Sequence, residues 1–216
     1  TEVTVTLPPG KTATKIGWNN PGGTYTINLD RGQTFSIVAN SRNVIDHLNG
    51  THVTTDADHP IAIMWKDDSI ENETGQSYDL CGDQLVPTRL AGKNYIVMRG
   101  NLGFGLTPPT DRCSEFAFVT TTKNNTTISY KYWDGSLVTE TVVVPLAGTM
   151  VRKQLNEFYT DATKPLIDAL YIEADDSVLV SQMSGTGREM GGAVIPRIDG
   201  CTGSLTVTIN RSSADS

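Results

Sequence analysis

The sequence predicts an all-β fold, and three observations support this. Short runs in which β-branched or aromatic residues alternate with polar ones recur along the whole chain, and a period of two residues is the signature of half-buried strands. Gly, Pro, Asn and Asp separate these runs, as expected for turns between strands. Apolar residues at helical spacing are nearly absent. We therefore expect antiparallel sheets with at most one short helix.

The predicted strands share this alternation and end at turn residues. In chain order they are 2–7, 12–17, 24–29, 33–38, 51–55, 60–65, 93–98, 116–121, 126–132, 136–144, 149–153, 169–173, 177–183 and 204–210. Pro-Gly at 9–10 and 21–22, and Asp-Arg-Gly at 30–32, supply the φ values that chain reversals need. Asp134-Gly135 predicts a hairpin between two alternating runs. The short helix is expected within 154–168, where Lys164-Pro165 would end it.

The two halves of the chain show the same order of patterns, which indicates an internal repeat of about 115 residues. In each half a strand, an acidic turn and an apolar strand precede a Pro-containing element, at 85–87 and 194–196. We expect two similar antiparallel, sandwich-like β units, residues 1–115 and 116–216, packed as one compact module. The alternative is a chance match between β-hairpins.

Composition excludes several classes of protein. The 216 residues are 38% hydrophobic and 19% charged, which is enough to form a core. With 17 Lys plus Arg against 24 Asp plus Glu, and no cluster of basic and aromatic residues, nucleic acid is not an expected partner. No apolar run approaches the roughly 20 residues that span a bilayer, so this segment is not expected to insert into a membrane.

The balance of polar residues indicates the location. Thr and Ser are abundant and Lys is sparse, which favours a secreted or cell-surface protein. Thr1 is followed at once by an alternating run, so we expect the segment to belong to a larger parent chain.

Three cysteines, Cys81, Cys113 and Cys201, are spaced like neither a zinc site nor a redox motif. They predict one disulfide with one free thiol, or three buried thiols. We expect no metal to be bound by them.

Four short motifs follow one another in a recognisable order. They are "G-T-x-V" at 50–53, an Asp-x-Pro turn into an apolar strand at 58–64, a Cys before "QL-P"-like residues at 81–87, and "G-K-x-Y/F-x-V" at 92–97. This order resembles the N-terminal domain of the IgGFc-binding protein family. The likeness continues through 170–174, 185–187 and 195–196, and so covers most of the chain.

The resemblance implies an extracellular binding domain. The segment "C-T-G-S" at 201–204 is similar to the version found in large bacterial surface proteins, which implies an adhesin-like setting. Animal members carry a further Cys before the position of Cys81, where this chain has Met64 to Asp68. The family's disulfide pattern is therefore not carried over, and binding of immunoglobulin Fc is not expected to be retained.

Candidate reactive or ligand-binding groups each have a structural interpretation. His47, His52 and His59 lie close in sequence, but no Cys or Glu completes a metal site with them. The acidic window 56–73 is interpreted as a solvated loop, with calcium as the alternative. The glycines at 185–187 and 191–192 lack the helix of a phosphate cradle and predict a flexible loop. No motif of a catalytic family is present, so neither enzymatic activity nor a cofactor is expected.

The sequence thus favours a non-catalytic binding or adhesion module that recognises a protein or glycan at the cell exterior. A structural spacer is the alternative, and a calcium-dependent or hydrolytic domain is a weaker one. Residues 66–84 and 100–115 are predicted to be long irregular loops, where recognition usually occurs. The predicted ligand-binding residues lie there or near turns; they are Trp18, Phe104, Trp133 and Asp134.

Overall fold

The computed structural model of the chain confirms the predicted all-β class, with 58% of residues in strands and 3% in helix. The structure describes residues 1–15, 18–41, 43, 46–71, 78–102, 114–157, 161–187 and 189–200. The strands are β1 (Glu2–Lys15), β2 (Trp18–Asn28), β3 (Val38–Ala39), β4 (His52–Thr55), β5 (Met64–Glu71), β6 (Tyr78–Gln84), β7 (Gly92–Met98), β8 (Asn101–Leu102), β9 (Phe116–Thr121), β10 (Thr126–Trp133), β11 (Leu137–Val144), β12 (Met150–Gln154), β13 (Ala169–Gly187) and β14 (Glu189–Ile195).

The first sheet is built on β1, which pairs with β2, β3 and β4. The reversals predicted at 9–10 and 21–22 are wrong, because β1 and β2 both continue through these positions as one long ribbon. The register shifts there, and Gly10 and Gly23 have φ of 76° and 102°, values that glycine adopts without strain. The turn residues therefore form an irregularity within the ribbon instead of a turn.

A two-stranded hairpin of β5 and β6 follows. The irregular loop predicted over 66–84 is therefore wrong for its described part. Its polar and acidic residues suggested a solvated loop, but the strands bond to each other, with Asp67 opposite Cys81. Strand pairing provides hydrogen-bond partners for the backbone N–H and C=O groups, whatever the polarity of the side chains.

The large sheet is organised around β13. Its first half lies between β7 and β10, and its second half pairs with β9 and β14. The acidic turn predicted to separate 169–173 from 177–183 is instead an irregularity within one strand. Asp175 accepts a hydrogen bond from the Thr127 N–H at 2.8 Å, and Asp176 accepts one from the Ser177 N–H. Side chains thus bond the backbone where the ladder is interrupted.

The glycine-rich region is paired, so the flexible loop predicted for 185–187 and 191–192 is also wrong. Ser184 lies opposite Gly191, and Gly185 opposite Met190. A Cβ on Gly185 would lie 1.8 Å from the Glu189 oxygen. Glycine is required here because two backbones approach closely, not because the chain must be mobile.

Other predictions had mixed outcomes. Strands 33–38 and 60–65 are largely irregular, with pairing only at Val38–Ala39 and from Met64 onward, whereas the prediction for 204–210 lies outside the described residues. In the described part of 154–168 no regular helix forms. The hairpin at Asp134-Gly135 is confirmed, with Gly135 at φ 71°.

The main hydrophobic core lies inside the curled large sheet. It contains Tyr95, Val97, Ala117, Val119, Ile128, Tyr130, Tyr132, Val144, Leu155, Ile167, Leu170, Ile172, Ala174, Val178 and Val180. Because β7 pairs with β13, residues on both sides of the predicted boundary at 115 contribute to this core. The division into two units stays a prediction, and the internal repeat is not confirmed.

Candidate functional site

One face of the large sheet is exposed across four strands, β7, β13, β10 and β11. Successive side chains of a strand point to opposite faces, and here one set is buried. Val97, Leu170 and Tyr132 point into the core, so their neighbours along each strand point outward. The resulting surface carries apolar side chains where an antiparallel sheet ordinarily presents polar ones.

Four of these side chains form a row at one end of the sheet, because extending the register of Lys131 opposite Tyr171 by two residues places Trp133 beside Ala169. Met98 lies opposite Ala169, and Trp133 lies opposite Leu137. Met98 is 60% exposed, and Trp133 and Leu137 are each 69% exposed. A second row adjoins them, where Ile96 on β7 lies opposite Tyr171 on β13. We call these six residues the outer patch.

Polar contacts hold the second row in place. The Tyr171 hydroxyl donates to Asn94 Oδ1 at 2.6 Å. Lys131 forms an ion pair with Glu173 and lies 5.7 Å from the centre of the Tyr171 ring. These contacts hold the Tyr171 ring in one orientation on the outer face.

The border of the first row is acidic. Asp134 is exposed at the hairpin tip beside Trp133. Asp168 precedes β13 and is 77% exposed, although one of its oxygens accepts a hydrogen bond from Arg99 at 2.7 Å. The Arg99 side chain is only 12% exposed, so the carboxylates face solvent more than the guanidinium does.

The hairpin that carries Trp133 is well braced. The Asp134 N–H donates to the Ser136 oxygen at 2.9 Å, and all eight residue pairs of β10 and β11 are in register. On the core side, the Tyr132 hydroxyl donates to Glu140. The exposed indole is therefore held on a rigid element.

The structure brings together only part of the predicted site. Trp133 and Asp134 are exposed at the outer patch, as the prediction requires, although their role in binding is not tested. Trp18 begins β2, but its side chain lies outside the described part of the structure. Phe104 and the rest of 103–113 also lie outside it.

Sequence reasoning missed Ile96, Met98 and Leu137. A signal was present, because Tyr95-Ile96-Val97-Met98 is apolar at four successive positions, so both faces of β7 must be apolar. An antiparallel sheet commonly has one apolar face on the core and one polar face in solvent. A strand that is apolar on both faces therefore either is buried on both sides or presents an apolar surface to solvent. The exposed fractions of Ile96 and Met98, 47% and 60%, show that this face of β7 is exposed.

A second candidate is a cleft of about 280 Å³ between β6, β14 and the start of β7. Its lining includes residues from two of the segments that carry the family resemblance, 81–87 and 195–196. Its Asp83 carboxylate accepts hydrogen bonds from the Val194 and Gln84 N–H groups, and the Tyr95 hydroxyl donates to the Val178 oxygen. These polar groups hold strands together, so the cleft is best explained as structural.

Cys81 is fully buried beside this region and is a free thiol. Burial, with the nearby carboxylates of Asp67 and Asp79, raises the pKa of the thiol to about 11. Cys113 and Cys201 lie outside the described residues. Both alternatives, one disulfide with one free thiol and three buried thiols, therefore stay predictions. Among the described residues no group of three or more His, Cys, Asp or Glu side chains could hold a metal.

Comparison with known proteins identifies the family. The sequence profile described as "IgGFc binding protein" matches residues 1–203. The chain belongs to this family. The resemblance seen in the sequence is thereby confirmed, and it makes the chain a member of a family named for binding a protein.

Other comparisons add little. No curated protein matches this IgGFc-binding family member in sequence. A solved structure, "Crystal Structure of Thermotoga maritima 1070", is 10% identical and covers 49% of this chain and 93% of its own, with a TM-score of 0.32. That likeness is too weak to support any argument. Within the described part of the chain, no helix is long and apolar enough to cross a membrane.

Proposed function

We propose that this chain is a non-catalytic adhesion module at the cell exterior, and that its outer patch binds a protein partner. The observation that carries the proposal is the exposed apolar row of Met98, Trp133 and Leu137. A contiguous apolar surface on a soluble protein is characteristic of an interaction site. Aromatic residues supply much of the binding free energy at such sites.

The chemistry of the border specifies the kind of partner. Asp134 and the exposed Asp168 lie at the end of the sheet that carries Trp133. The proposed partner therefore inserts apolar side chains onto the outer patch and places Lys or Arg beside these carboxylates, which speeds association and fixes orientation. Membership of a family named for a protein ligand supports a protein over a glycan.

The test compares Trp133→Ala with Leu146→Ala. Leu146 is 63% exposed in a turn away from the outer patch, so it controls for loss of an exposed apolar side chain. Binding is measured by biolayer interferometry against IgG Fc fragment and a panel of extracellular proteins. Trp133→Ala is expected to raise the dissociation constant for the bound protein by about 30-fold or more, the effect of losing a hot-spot residue. Leu146→Ala is expected to raise it by less than about twofold.

Both variants should keep the wild-type melting temperature, because neither side chain is buried. Equal binding by wild type and Trp133→Ala would place the contact elsewhere. Binding of free oligosaccharides alone would favour a glycan partner, and binding of no panel member would favour the spacer.

A further inference from the structure

The first row of the outer patch contains a notch at Ala169. Ala169 is exposed on β13, and Met98 of β7 lies opposite it on one side. Trp133 of β10 lies beside it on the other side, because the register of Lys131 and Tyr171 extends to this pair. Neighbouring strands are about 4.8 Å apart, so the Cα atoms of Met98 and Trp133 are about 10 Å apart. One methyl group between two large exposed side chains leaves room for a single side chain of a partner.

One end of the notch is acidic. Asp168 precedes Ala169, and its side chain is 77% exposed. The Arg99 guanidinium donates twice to Oδ1 of this carboxylate, at 3.2 and 2.7 Å, which leaves Oδ2 for a further donor. Successive side chains leave a strand on opposite faces, so a group in the notch reaches Asp168 only by extending past the end of the sheet. The notch therefore favours a long side chain that ends in a hydrogen-bond donor.

The neighbouring row shows how this face of the sheet holds a cation. The Lys131 ammonium lies 5.7 Å from the centre of the Tyr171 ring and forms an ion pair with Glu173. Because Glu173 lies farther along β13, Lys131 points away from the notch and does not fill it. In the first row Trp133 and Asp168 provide the same two groups, an aromatic ring and a carboxylate. No described residue places a cation against the Trp133 ring, so a partner can supply one.

We propose that the notch receives an arginine side chain of the protein partner, an inference that rests on the proposed function. The aliphatic stem of this arginine lies over Ala169, between Met98 and Trp133. Its guanidinium stacks on the exposed indole and donates to Asp168. Arginine fits better than lysine, because a guanidinium is planar, stacks on aromatic rings and is less strongly hydrated than an ammonium group. Ala169 then determines specificity, since a larger side chain at this position would close the notch.

Recognition of arginine can be measured before the partner is known. The probe is N-acetyl-arginine amide, and the matched control is N-acetyl-citrulline amide, which has nearly the same shape without the charge. Binding is followed by the indole N–H resonance of Trp133 in ¹⁵N-labelled protein, identified by its absence in Trp133→Phe. We expect this resonance to shift saturably with a dissociation constant of about 10 mM for the arginine probe. The citrulline probe should bind at least about fivefold more weakly, because it lacks the cation.

Two substitutions test whether the notch itself holds the probe. Ala169→Leu fills the notch and should abolish the shift, whereas Ala169→Ser keeps its size and should change the dissociation constant by less than about twofold. Both variants should keep the wild-type melting temperature, because the side chain at this position is exposed. A Trp133 resonance that does not move at about 100 mM arginine probe, an equal response to citrulline, or an unchanged response in Ala169→Leu would overturn the proposal.

Binding of an extracellular protein from the panel separates this inference from the proposed function. If Trp133→Ala weakens that protein about 30-fold and Ala169→Leu weakens it at least about tenfold, both are supported. If Trp133→Ala weakens it and Ala169→Leu binds like wild type, the outer patch is the binding site but the arginine anchor is wrong. If Trp133→Ala binds like wild type, the proposed function is wrong, and the arginine of the partner is wrong with it, whatever the probe shows.

Discussion

At the scale of single residues, Cys81 shows how burial determines reactivity. Its side chain is 1% exposed, and burial together with Asp67 and Asp79 raises the thiol pKa to about 11. The thiolate is the reactive nucleophile, so Cys81 in the folded protein is almost entirely in its unreactive thiol form near neutral pH. The sequence identified Cys81 as a position that matches the family motif. It could not predict the burial of this side chain, because that burial depends on the packing of β14 against β6.

We predict that Cys81 resists alkylation in the folded protein. At pH 8, its thiolate fraction is lower by about 100-fold than that of an ordinary cysteine, and access is blocked as well. Iodoacetamide labelling followed by peptide mass spectrometry should show slow modification of Cys81 in buffer and rapid modification in urea. Rapid labelling of Cys81 without urea would contradict this account of its environment.

At the scale of elements, the two edge strands of the curled sheet, β11 and β12, are joined by a side-chain ion pair and not by backbone hydrogen bonds. Lys153 of β12 reaches Glu140 of β11 and lies 5.1 Å from the centre of the Tyr132 ring. Burial raises the pKa of Glu140, but the hydrogen bonds from Tyr132 and Lys153 outweigh this effect, and the net pKa is lowered from 4.5. A lowered carboxyl pKa stabilises the fold above pH 4.5, and this contribution is lost as the pH falls further.

Lys153→Met should therefore destabilise the protein by about 1 kcal/mol at pH 7, a value kept small because Glu140 is 43% exposed. The matched control is Lys131→Met, whose ion pair with Glu173 lies on the outer face and should contribute less than about 0.5 kcal/mol. Urea unfolding would measure both at pH 7 and pH 3. The cost of Lys153→Met should shrink at pH 3, and an equal cost at both pH values would show that lost packing, not the ion pair, dominates.

Local pattern predicted the strands far better than the connections between them. Residues 116–121 and 126–132 alternate cleanly and form β9 and β10 nearly as expected. The described part of 66–84 was predicted wrongly, because its acidic side chains suggested a solvated loop, whereas the backbone of Met64–Glu71 pairs with that of Tyr78–Gln84. Likewise, Asp175 resembles a turn residue, but its carboxylate bonds Thr127 on the neighbouring strand. Such contacts join residues far apart in sequence, and local periodicity contains no information about them.

At the scale of the whole molecule, the outer patch exists because β13 joins strands from distant parts of the chain. Met98 reaches the patch through β7, and Trp133 and Leu137 through β10 and β11. The exposed indole at the hairpin was foreseeable from the turn at Asp134-Gly135, whereas its apolar neighbours were not.

The central claim is that a protein partner contacts the outer patch, and site-specific photocrosslinking of the protein to a panel of extracellular proteins tests it most directly. A benzophenone amino acid replaces Met98 in one variant and Leu146 in another, since both side chains are exposed to a similar degree, 60% and 63%. We predict a discrete adduct with one extracellular protein from position 98 and none from position 146. Adducts at equal yield from both positions, or from position 146 alone, would contradict the account.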